Sequence, residues 1–423
     1  MERRRSAGEQ LIKMFRPSLF RGLSLDDSHS GYELDRSRRA SLSAEQRRKL
    51  SMLRTSSIPS PLTPVSHIYH LVPCPRKCCH QKYVVSTDRS GDIHVHVQGD
   101  LSQQDKRCVF LTVHDLGTNH SSLVDFVNSP AMTEIKERSC FIHVDVPGHE
   151  ENSPDLPDSY QFPSLQTLGE DLITVLDFLQ IRYAVGLGEG AGANVLARCG
   201  LAHPRRLLGL ILVNCTASTS SVADAFRSRF SRWRGADISQ SEEDFLIYHK
   251  FGHVSFVRAH LDYRYQQITS ECCSAGERER TLAEYRSRLR GNLNTHNIKQ
   301  YVKAFINRKD LLLKGCQPDI LLITGTLSPY SSVIEKLYKE LDRDKVTILK
   351  VEKVGDVLAE SPAKVAQSLL LFCQGQGLLT SLPPPGVERR MSRAMSMEEY
   401  DKPNIRRLSL TPSVSESPPP RKL

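Results

Sequence analysis

A glycine-rich turn is the part of this sequence that lies closest to known chemistry. The turn, Gly186-Leu187-Gly188-Glu189-Gly190, follows an apolar run and precedes a helix-compatible segment, 191–203, that ends before Pro204. A strand that leads through a sharp turn into a helix is the context of the G-x-S-x-G nucleophile elbow, whose serine attacks a carbonyl carbon. We place the serine position at Gly188, which has no side chain and therefore no nucleophile.

The other groups of a serine hydrolase are also replaced. Such an enzyme needs an acid, a histidine base and donors that stabilise an oxyanion. The acid is expected after the strand at 320–323, where Thr326 stands, and the base after the last strand, where Asp356 stands. At the turn expected to supply oxyanion donors, Asp115 puts a carboxylate where negative charge would develop. We predict that Gly188, Thr326, Asp356 and Asp115 are degenerate positions and that the chain has no catalytic residues.

Neighbouring groups leave one alternative open, a hydrolase with an unconventional active site. Glu189 and Asp356 would supply a pair of carboxylates, and His143 or His149 would supply a base. The competing expectation is that Glu189 faces solvent and that His143 pairs locally within a strand. Nothing in the sequence places a nucleophile within reach of these groups, so we favour the second expectation.

The eleven cysteines of this long chain indicate reduced thiols rather than a disulfide framework. Cys199 and Cys215 are candidate nucleophiles for the unconventional site, although buried thiols are usually inert. One group has metal-binding residue types but lacks the second well-spaced pair that zinc sites show, namely Cys74, Cys78, Cys79 and His80. The glycines at 186–192 have the wrong spacing for a dinucleotide fingerprint. We therefore predict no metal and no cofactor.

Apolar runs that alternate with amphipathic segments predict an α/β fold with a mainly parallel sheet and helices on both faces. A hairpin is expected at 83–97, and further strands at 109–113, 141–144, 184–187, 210–213, 320–323 and 346–351. Helices are expected at 165–179, 191–203 and 362–374. Residues 217–308 break the alternation with a charged helical pattern, which predicts a helical lid inserted between two core strands.

The net charge of +9 lies outside the predicted fold. Residues 1–66 carry 13 Lys or Arg against 7 Asp or Glu, residues 378–423 carry 8 against 5, and residues 67–377 are formally neutral. Both ends are rich in Ser, Arg and Pro, a composition typical of disorder. We predict a domain at 67–377 between disordered tails at 1–66 and 378–423. Nucleic-acid binding is not expected, because it would concentrate basic charge on the fold itself.

Serines that follow arginines predict phosphorylation of the tails. Eight serines have Arg three residues before them, and the chosen candidates are Ser41, Ser51, Ser57, Ser392, Ser396 and Ser409. The segment Arg54-Thr55-Ser56-Ser57-Ile58-Pro59 also resembles a 14-3-3 docking motif. The basic amphipathic segment 10–25 suits an anionic membrane surface, and each phosphate would add a charge of about −1.5 to −2 that favours release.

Several longer segments resemble the NDRG family. They are FIHVDVPGHEE at 141–151, YQFPSL at 160–165, GLGEGAGANVLAR at 186–198, HPRRLLGLILVN at 203–214, FINRKDL at 305–311 and LDRDKVT at 341–347. The resemblance covers residues 83–377 and is most specific from 141 to 214. The sequence departs from the family at Thr326, where the family often keeps Asp, in the lid region at 217–290, and in both tails.

This resemblance implies an α/β-hydrolase-like fold without hydrolase activity, in a protein of signalling, stress responses or differentiation. It also implies a mostly cytoplasmic protein that is often phosphorylated in its C-terminal tail. We therefore expect a non-catalytic signalling or adaptor protein, cytoplasmic and in part peripheral at membranes. The alternatives are the unconventional hydrolase and a protein that binds a small ligand under the lid or a lipid surface.

Overall fold

The computed structural model describes residues 80–219, 237–252 and 275–383 of the chain. Eight strands in these residues form one sheet. They are β1 His80–Thr87, β2 Gly91–Gln98, β3 Cys108–Val113, β4 Ser139–Asp145, β5 Ala184–Glu189, β6 Leu207–Val213, β7 Asp319–Gly325 and β8 Val346–Val351. Each strand predicted from the sequence lies within one of these strands, so the strand predictions are confirmed.

The sheet is mainly parallel, as the alternating pattern predicts. Its strand order is β1-β2-β4-β3-β5-β6-β7-β8. The pairs β1–β2 and β2–β4 are antiparallel, whereas the pairs from β4–β3 to β7–β8 are parallel. The carboxyl ends of β3 to β8 therefore meet at one edge of the sheet, which is where open α/β sheets place their ligands.

Ten α-helices lie in the described residues. They are α1 His120–Val127, α2 Thr133–Glu137, α3 Leu165–Phe178, α4 Gly190–Ala202, α5 Gln240–Phe251, α6 Ala275–Gly291, α7 Thr295–Ile306, α8 Ser331–Glu340, α9 Val357–Glu360 and α10 Pro362–Gly375. Short 3-10 turns lie at Leu101–Gln103 and Pro130–Met132. The three predicted helices, which correspond to α3, α4 and α10, are confirmed to within one residue at either end. Helices α5, α6 and α7 lie between β6 and β7 in the chain, within the predicted lid region.

The core lies on both faces of the sheet, which explains the uninterrupted apolar runs. All six residues of β3 and all seven of β4 are buried. Along β4, Ile142 and Val144 pack into one hydrophobic cluster while Phe141 packs into a second one. A strand that is covered on both faces has no solvent side on which polar residues would alternate.

Several predictions fall on residues that the structure does not describe. These are the six candidate phosphoserines, the segment 10–25, and Cys74, Cys78 and Cys79. The boundaries of the two tails and of the lid stay predictions. In the described ranges, the helices fall short of the length and apolar content that crossing a membrane requires.

Candidate functional site

The sharp turn between β5 and α4 lies at Gly190, two residues after the position predicted for it. Gly188 lies inside β5, and a Cβ atom there would approach the backbone of Ala193 to 2.8 Å. Gly190 has φ +52°, a left-handed conformation that favours glycine. The placement of the turn at Gly188 is therefore wrong, because β5 extends to Glu189 before the chain reverses.

The carboxylate of Asp115 occupies the space beside this turn. The backbone N–H of Ala191 donates a hydrogen bond of 2.8 Å to Asp115 Oδ1. A Cβ atom on Gly190 would overlap the same carboxylate group. In a serine hydrolase, the residue after the nucleophile supplies an N–H to the oxyanion hole. Here the equivalent donor, on the residue after the turn glycine, already binds a side-chain carboxylate.

Helix α5 brings a histidine to the other oxygen of this carboxylate. His249 Nε2 lies 2.8 Å from Asp115 Oδ2, and His249 Nδ1 contacts the hydroxyl of Tyr330. His249 is 1% exposed and Asp115 is 3% exposed, so the contact is sealed from bulk water. Burial would raise the pKa of Asp115, but the His249 ring and the Ala191 N–H outweigh burial and hold that pKa at about 2.

The next residue of α5 joins two further carboxylates. Lys250 Nζ donates to Glu189 Oε1 at 2.6 Å and lies 3.1 Å from Asp356 Oδ2. Asp356 also caps α9, since its Oδ1 accepts the N–H groups of Leu358 and Ala359. The expectation that Glu189 faces solvent is wrong, because Glu189 is 1% exposed. We call Asp115, Glu189, His249, Lys250 and Asp356 the turn cluster.

Lys250 is the permanent cation among the three carboxylates of the turn cluster, and its charge offsets part of theirs. Burial would lower the pKa of Lys250, but the carboxylates of Asp356 and Glu189 raise it above its ordinary value, and the ammonium stays charged. Burial raises the pKa of Glu189 to about 7, with Asp356 and Asp115 adding to the increase and Lys250 opposing it. Glu189 therefore takes up a proton near neutral pH, and its Oε2 has no hydrogen-bond partner in the described part of the chain.

A pocket of about 320 Å³ borders the turn cluster. Its lining includes Lys250 and Asp356 on the polar side and Phe251, Leu293 and Leu358 on the apolar side. The hydroxyl of Tyr285, on α6, also lines the pocket and is buried without a hydrogen-bond partner among the described residues. This volume lies at the lower end of the range for small-molecule sites, roughly 300–1,000 Å³.

The remaining predicted positions lie apart from the turn cluster. Thr326 follows β7, and its hydroxyl oxygen accepts the N–H of Lys353 at 2.8 Å. His143 Nδ1 lies 2.8 Å from the Thr112 hydroxyl on the neighbouring strand β3, so its partner lies across the sheet and not within its own strand as expected. His149 Nδ1 lies 3.2 Å from the carbonyl oxygen of Pro147, and burial lowers the pKa of His149 to about 3.

Neither candidate thiol has the surroundings of a nucleophile. Cys199 and Cys215 are both fully buried, and burial raises the pKa of each to about 12. A thiolate is the reactive form of cysteine, so a pKa this high leaves almost no reactive species at neutral pH.

A second group of polar side chains lies at the start of α1. His96 Nε2 and His120 Nδ1 lie 3.1 Å and 2.7 Å from Asp145 Oδ2, and the two imidazole rings stack with their centroids 3.5 Å apart. The backbone N–H of His120 donates to Asp145 Oδ1 at 2.6 Å. Burial would raise the pKa of Asp145, but hydrogen bonds from His120 and His96 outweigh it and lower that pKa well below its usual range. We call His96, His120 and Asp145 the histidine cluster.

Sequence reasoning missed several of these residues. Gly190 was accessible from the sequence, because the frame Gly188-Glu189-Gly190-Ala191-Gly192 places glycines on both sides of it, as G-x-S-x-G does. His249 and Lys250 had no local signal, since they lie in a charged stretch whose packing depends on the folded sheet. The histidine cluster joins residues that are 25 and 49 positions apart in the chain.

Comparison with known proteins agrees with this geometry. The model of the Ndr family matches residues 83–380. An uncharacterized protein of Caenorhabditis elegans is 37% identical over 337 residues, covering 78% of this chain and 95% of that protein. Protein NDRG1-A of Xenopus laevis is 30% identical over 335 residues, covering 76% of this chain and 78% of the frog protein.

Solved structures of hydrolases share the fold. An esterase from Thermogutta terrifontis has a TM-score of 0.53 at 16% identity and covers 70% of this chain and 99% of the esterase. An enol-lactonase from Burkholderia xenovorans has a TM-score of 0.52 at 14% identity and covers 69% of this chain and 100% of the lactonase. At these identities the likeness shows an α/β-hydrolase fold and nothing about activity.

Proposed function

This chain belongs to the Ndr family, and from that premise we propose that it is a non-catalytic signalling or adaptor protein built on an α/β-hydrolase fold. The observation that carries the proposal is the position of the Asp115 carboxylate. It binds the Ala191 N–H and fills the space that a side chain on Gly190 would need. Preorganised donors stabilise an oxyanion only where they are free to bind it, and a buried carboxylate there repels the developing charge.

The unconventional hydrolase is less well supported, although its two carboxylates do lie together. Glu189 and Asp356 both contact the Lys250 ammonium. That contact engages one oxygen of each carboxylate, and a general base also needs a nucleophile within hydrogen-bond reach. No serine or cysteine of the described residues donates to either carboxylate side chain.

Hydrolysis of p-nitrophenyl esters of short and long acids tests this proposal on the full chain. We expect no turnover above that of the E189Q and D356N variants, because no serine hydroxyl or cysteine thiol of the described residues donates to either carboxylate. A rate that falls by about 100-fold or more in E189Q or D356N, the size of a general acid–base contribution, would establish the unconventional hydrolase instead. D177N, which changes an exposed carboxylate outside the pocket lining, is the matched control.

The proposal assigns regulation to the tails. Ser41, Ser57 and Ser409 each follow an Arg by three residues, and Pro59 follows Ser57 by two. A phosphate in an extended basic segment is the ligand of Arg-lined phosphopeptide readers such as 14-3-3 proteins. The same phosphates offset the positive charge of a tail that would otherwise contact an anionic membrane from the cytoplasmic side.

Phosphosite mapping and affinity capture with and without phosphatase test the regulatory part. We expect S57A to abolish capture of a 14-3-3 protein, while S56A, which lacks an Arg three residues before it, keeps capture. Phosphate on Ser41, Ser57 or Ser409 with phosphatase-sensitive capture supports the adaptor. Unmodified tails with unchanged capture would overturn it.

The pocket beside the turn cluster favours a second candidate function, binding of a small ligand. The observation is the buried Tyr285 hydroxyl, which has no partner in the described residues and lines a space of about 320 Å³. A thermal-shift screen of small polar-aromatic compounds would detect such binding. A359W should block the hits, because Ala359 lines the pocket and is exposed, whereas A363W, outside the lining, should not.

A further inference from the structure

The histidine cluster has the donor atoms of a metal centre. The described residues bring one ligand atom each from His96, His120 and Asp145 within 4.8 Å of one another. Both imidazole nitrogens point at the same carboxylate oxygen, at 3.1 Å and 2.7 Å. We propose that His96, His120 and Asp145 form a binding site for a divalent transition metal of the zinc class.

The spacing needs only a small adjustment to accept an ion. Zinc binds nitrogen and oxygen ligands at about 2.0–2.2 Å with tetrahedral geometry, so ligand atoms around one ion lie roughly 3.3–3.5 Å apart. The observed separations from the Asp145 oxygen are shorter than this by about half an ångström. Rotation of two partly exposed imidazole rings supplies that opening, because their side chains are 13% and 15% exposed.

The surroundings of the carboxylate are already organised. Asp145 Oδ1 is held by the backbone N–H of His120, which leaves Oδ2 as the oxygen that faces both rings. Partners that fix a ligand in this way raise metal affinity. The parallel stacking of the rings, at 11°, similarly fixes the direction of their nitrogens. A metal would therefore meet a site whose ligands need little ordering.

Nearby charge also favours a cation. The side chain of Asp145 is fully buried, and within the described residues its ion-pair partners are both histidines rather than a permanent cation. His94, on the same face of β2, lies 3.4 Å from Glu150. One opposing charge, Lys82, pairs with His96 in the register of β1 and β2 and extends into solvent.

The donor set selects the kind of metal. Two imidazoles and one carboxylate suit Zn²⁺, Co²⁺ or Ni²⁺, whereas Mg²⁺ and Ca²⁺ prefer oxygen ligands throughout. Three protein ligands leave a coordination position for water or another small ligand. The partial exposure of both histidines leaves that position accessible. This inference does not depend on the proposed function, because the histidine cluster shares no residue with the turn cluster.

Cobalt titration of the metal-stripped full chain is the first test. Visible absorption bands without a thiolate charge-transfer band indicate nitrogen and oxygen ligands, whereas Cys74, Cys78 and Cys79 would give the charge-transfer band. We expect one equivalent of cobalt to bind with nitrogen and oxygen ligands, and zinc should displace it. Spectra of the thiolate kind alone, or no binding, would overturn the proposal and leave the cluster as a hydrogen-bonded network.

Substitution of two proposed ligands and of one neighbouring histidine tests which residues bind the metal. H96Q and H120Q should each weaken zinc binding by about 100-fold or more, since removal of an outer partner alone costs 10–100-fold. H94Q lies two residues from His96 on the same strand face and should bind as the parent does. Both H96Q and H120Q are tested because one of them could fail to fold. Thermal melting of the metal-free proteins shows whether each variant is folded. Unchanged zinc affinity in both would refute the assignment.

Discussion

The turn cluster and the histidine cluster each include one or more residues of the central sheet, and they differ in how a buried carboxylate is paired. In the turn cluster every member is at most 7% exposed, and an ammonium already occupies the space between two carboxylates. In the histidine cluster a buried carboxylate faces two imidazole rings that are 13% and 15% exposed, and no permanent cation pairs with it among the described residues. The first site therefore contains its own permanent cation, whereas the second contains none and suits an added metal ion.

The two clusters also differ in their position on the hydrolase fold. The turn cluster occupies the edge of the sheet where hydrolases of this fold keep their nucleophile. Its charges stabilise one another and hold α5 against the sheet, because His249 and Lys250 both lie on that helix. The ammonium of Lys250 engages one oxygen of each of two carboxylates, and Glu189 Oε2 is left without a partner among the described residues.

Removal of the ammonium from the turn cluster should have the largest effect. K250M leaves Glu189 and Asp356 buried beside each other without their cation, and breaking a buried pair in this way costs about 3–5 kcal/mol. Chemical denaturation of K250M against K336M, an exposed lysine of α8, measures the difference. If K250M unfolds at the denaturant concentration of K336M, the carboxylates are not held as buried charges. Adding E189Q and D356N to K250M should recover part of the loss.

Replacement of Asp115 should have the next largest effect. D115N keeps an oxygen for the Ala191 N–H but loses the charged contact to His249, which is worth about 1.5–3 kcal/mol. The pKa of Asp115 is depressed to about 2 in the folded chain from 3.8. This contribution to stability is therefore present above pH 4 and is lost as the pH falls toward 2.

Denaturation of D115N at pH 7 and at acid pH checks both statements. D125N is the control, because Asp125 is 58% exposed and pairs with an exposed arginine, a kind of contact worth about 1 kcal/mol or less. A D115N protein as stable as D125N at pH 7 would show that the Asp115 carboxylate is not what holds α5 in place.

Substitution of Glu189 should change the pH dependence of the free energy of unfolding more than its value at any one pH. Its pKa is raised to about 7 in the folded chain from 4.5. A raised acid pKa contributes stability that is fully present below pH 4.5 and is lost as the pH rises to 7. E189Q should flatten this part of the curve, because a glutamine does not titrate; the stated shift corresponds to about 3 kcal/mol at about 1.4 kcal/mol per pKa unit. Parallel curves for E189Q and the exposed-site control E137Q would contradict the raised pKa.

Sequence patterns were sufficient for the sheet and its covering helices because those depend on local apolar periodicity. The run Cys108–Val113 is buried on both faces and reads as a strand without any knowledge of its neighbours. The sharp turn was predicted at Gly188 and lies at Gly190. Glycines alternate along this segment, so two positions fit the same turn pattern. The buried ion pair of Glu189 could not be predicted, because its partner Lys250 is 61 residues away on a helix whose packing depends on the folded sheet.

The histidine cluster was beyond reach for the same reason. His96 sits in an alternating strand, where a histidine on the outer face looks like an ordinary polar residue. Its significance depends on β2 pairing with β4 and on α1 starting beside the end of β4. The sequence predicts no metal site, because ligands that lie 25 and 49 residues apart form no local spacing pattern.

The smallest effect on stability is expected for a substitution in the metal-free histidine cluster. Addition of zinc should then distinguish this cluster from the turn cluster. H96Q removes a partly exposed ring and should change the metal-free stability by about 1 kcal/mol or less. Zinc at 100 times its dissociation constant should stabilise the parent protein by about 2.7 kcal/mol, because it binds the folded state alone. H96Q should lose that gain, whereas K250M should keep it, since the turn cluster does not contribute a ligand. If zinc stabilises H96Q as much as the parent, His96 does not bind the ion, and the contrast between the two regions fails.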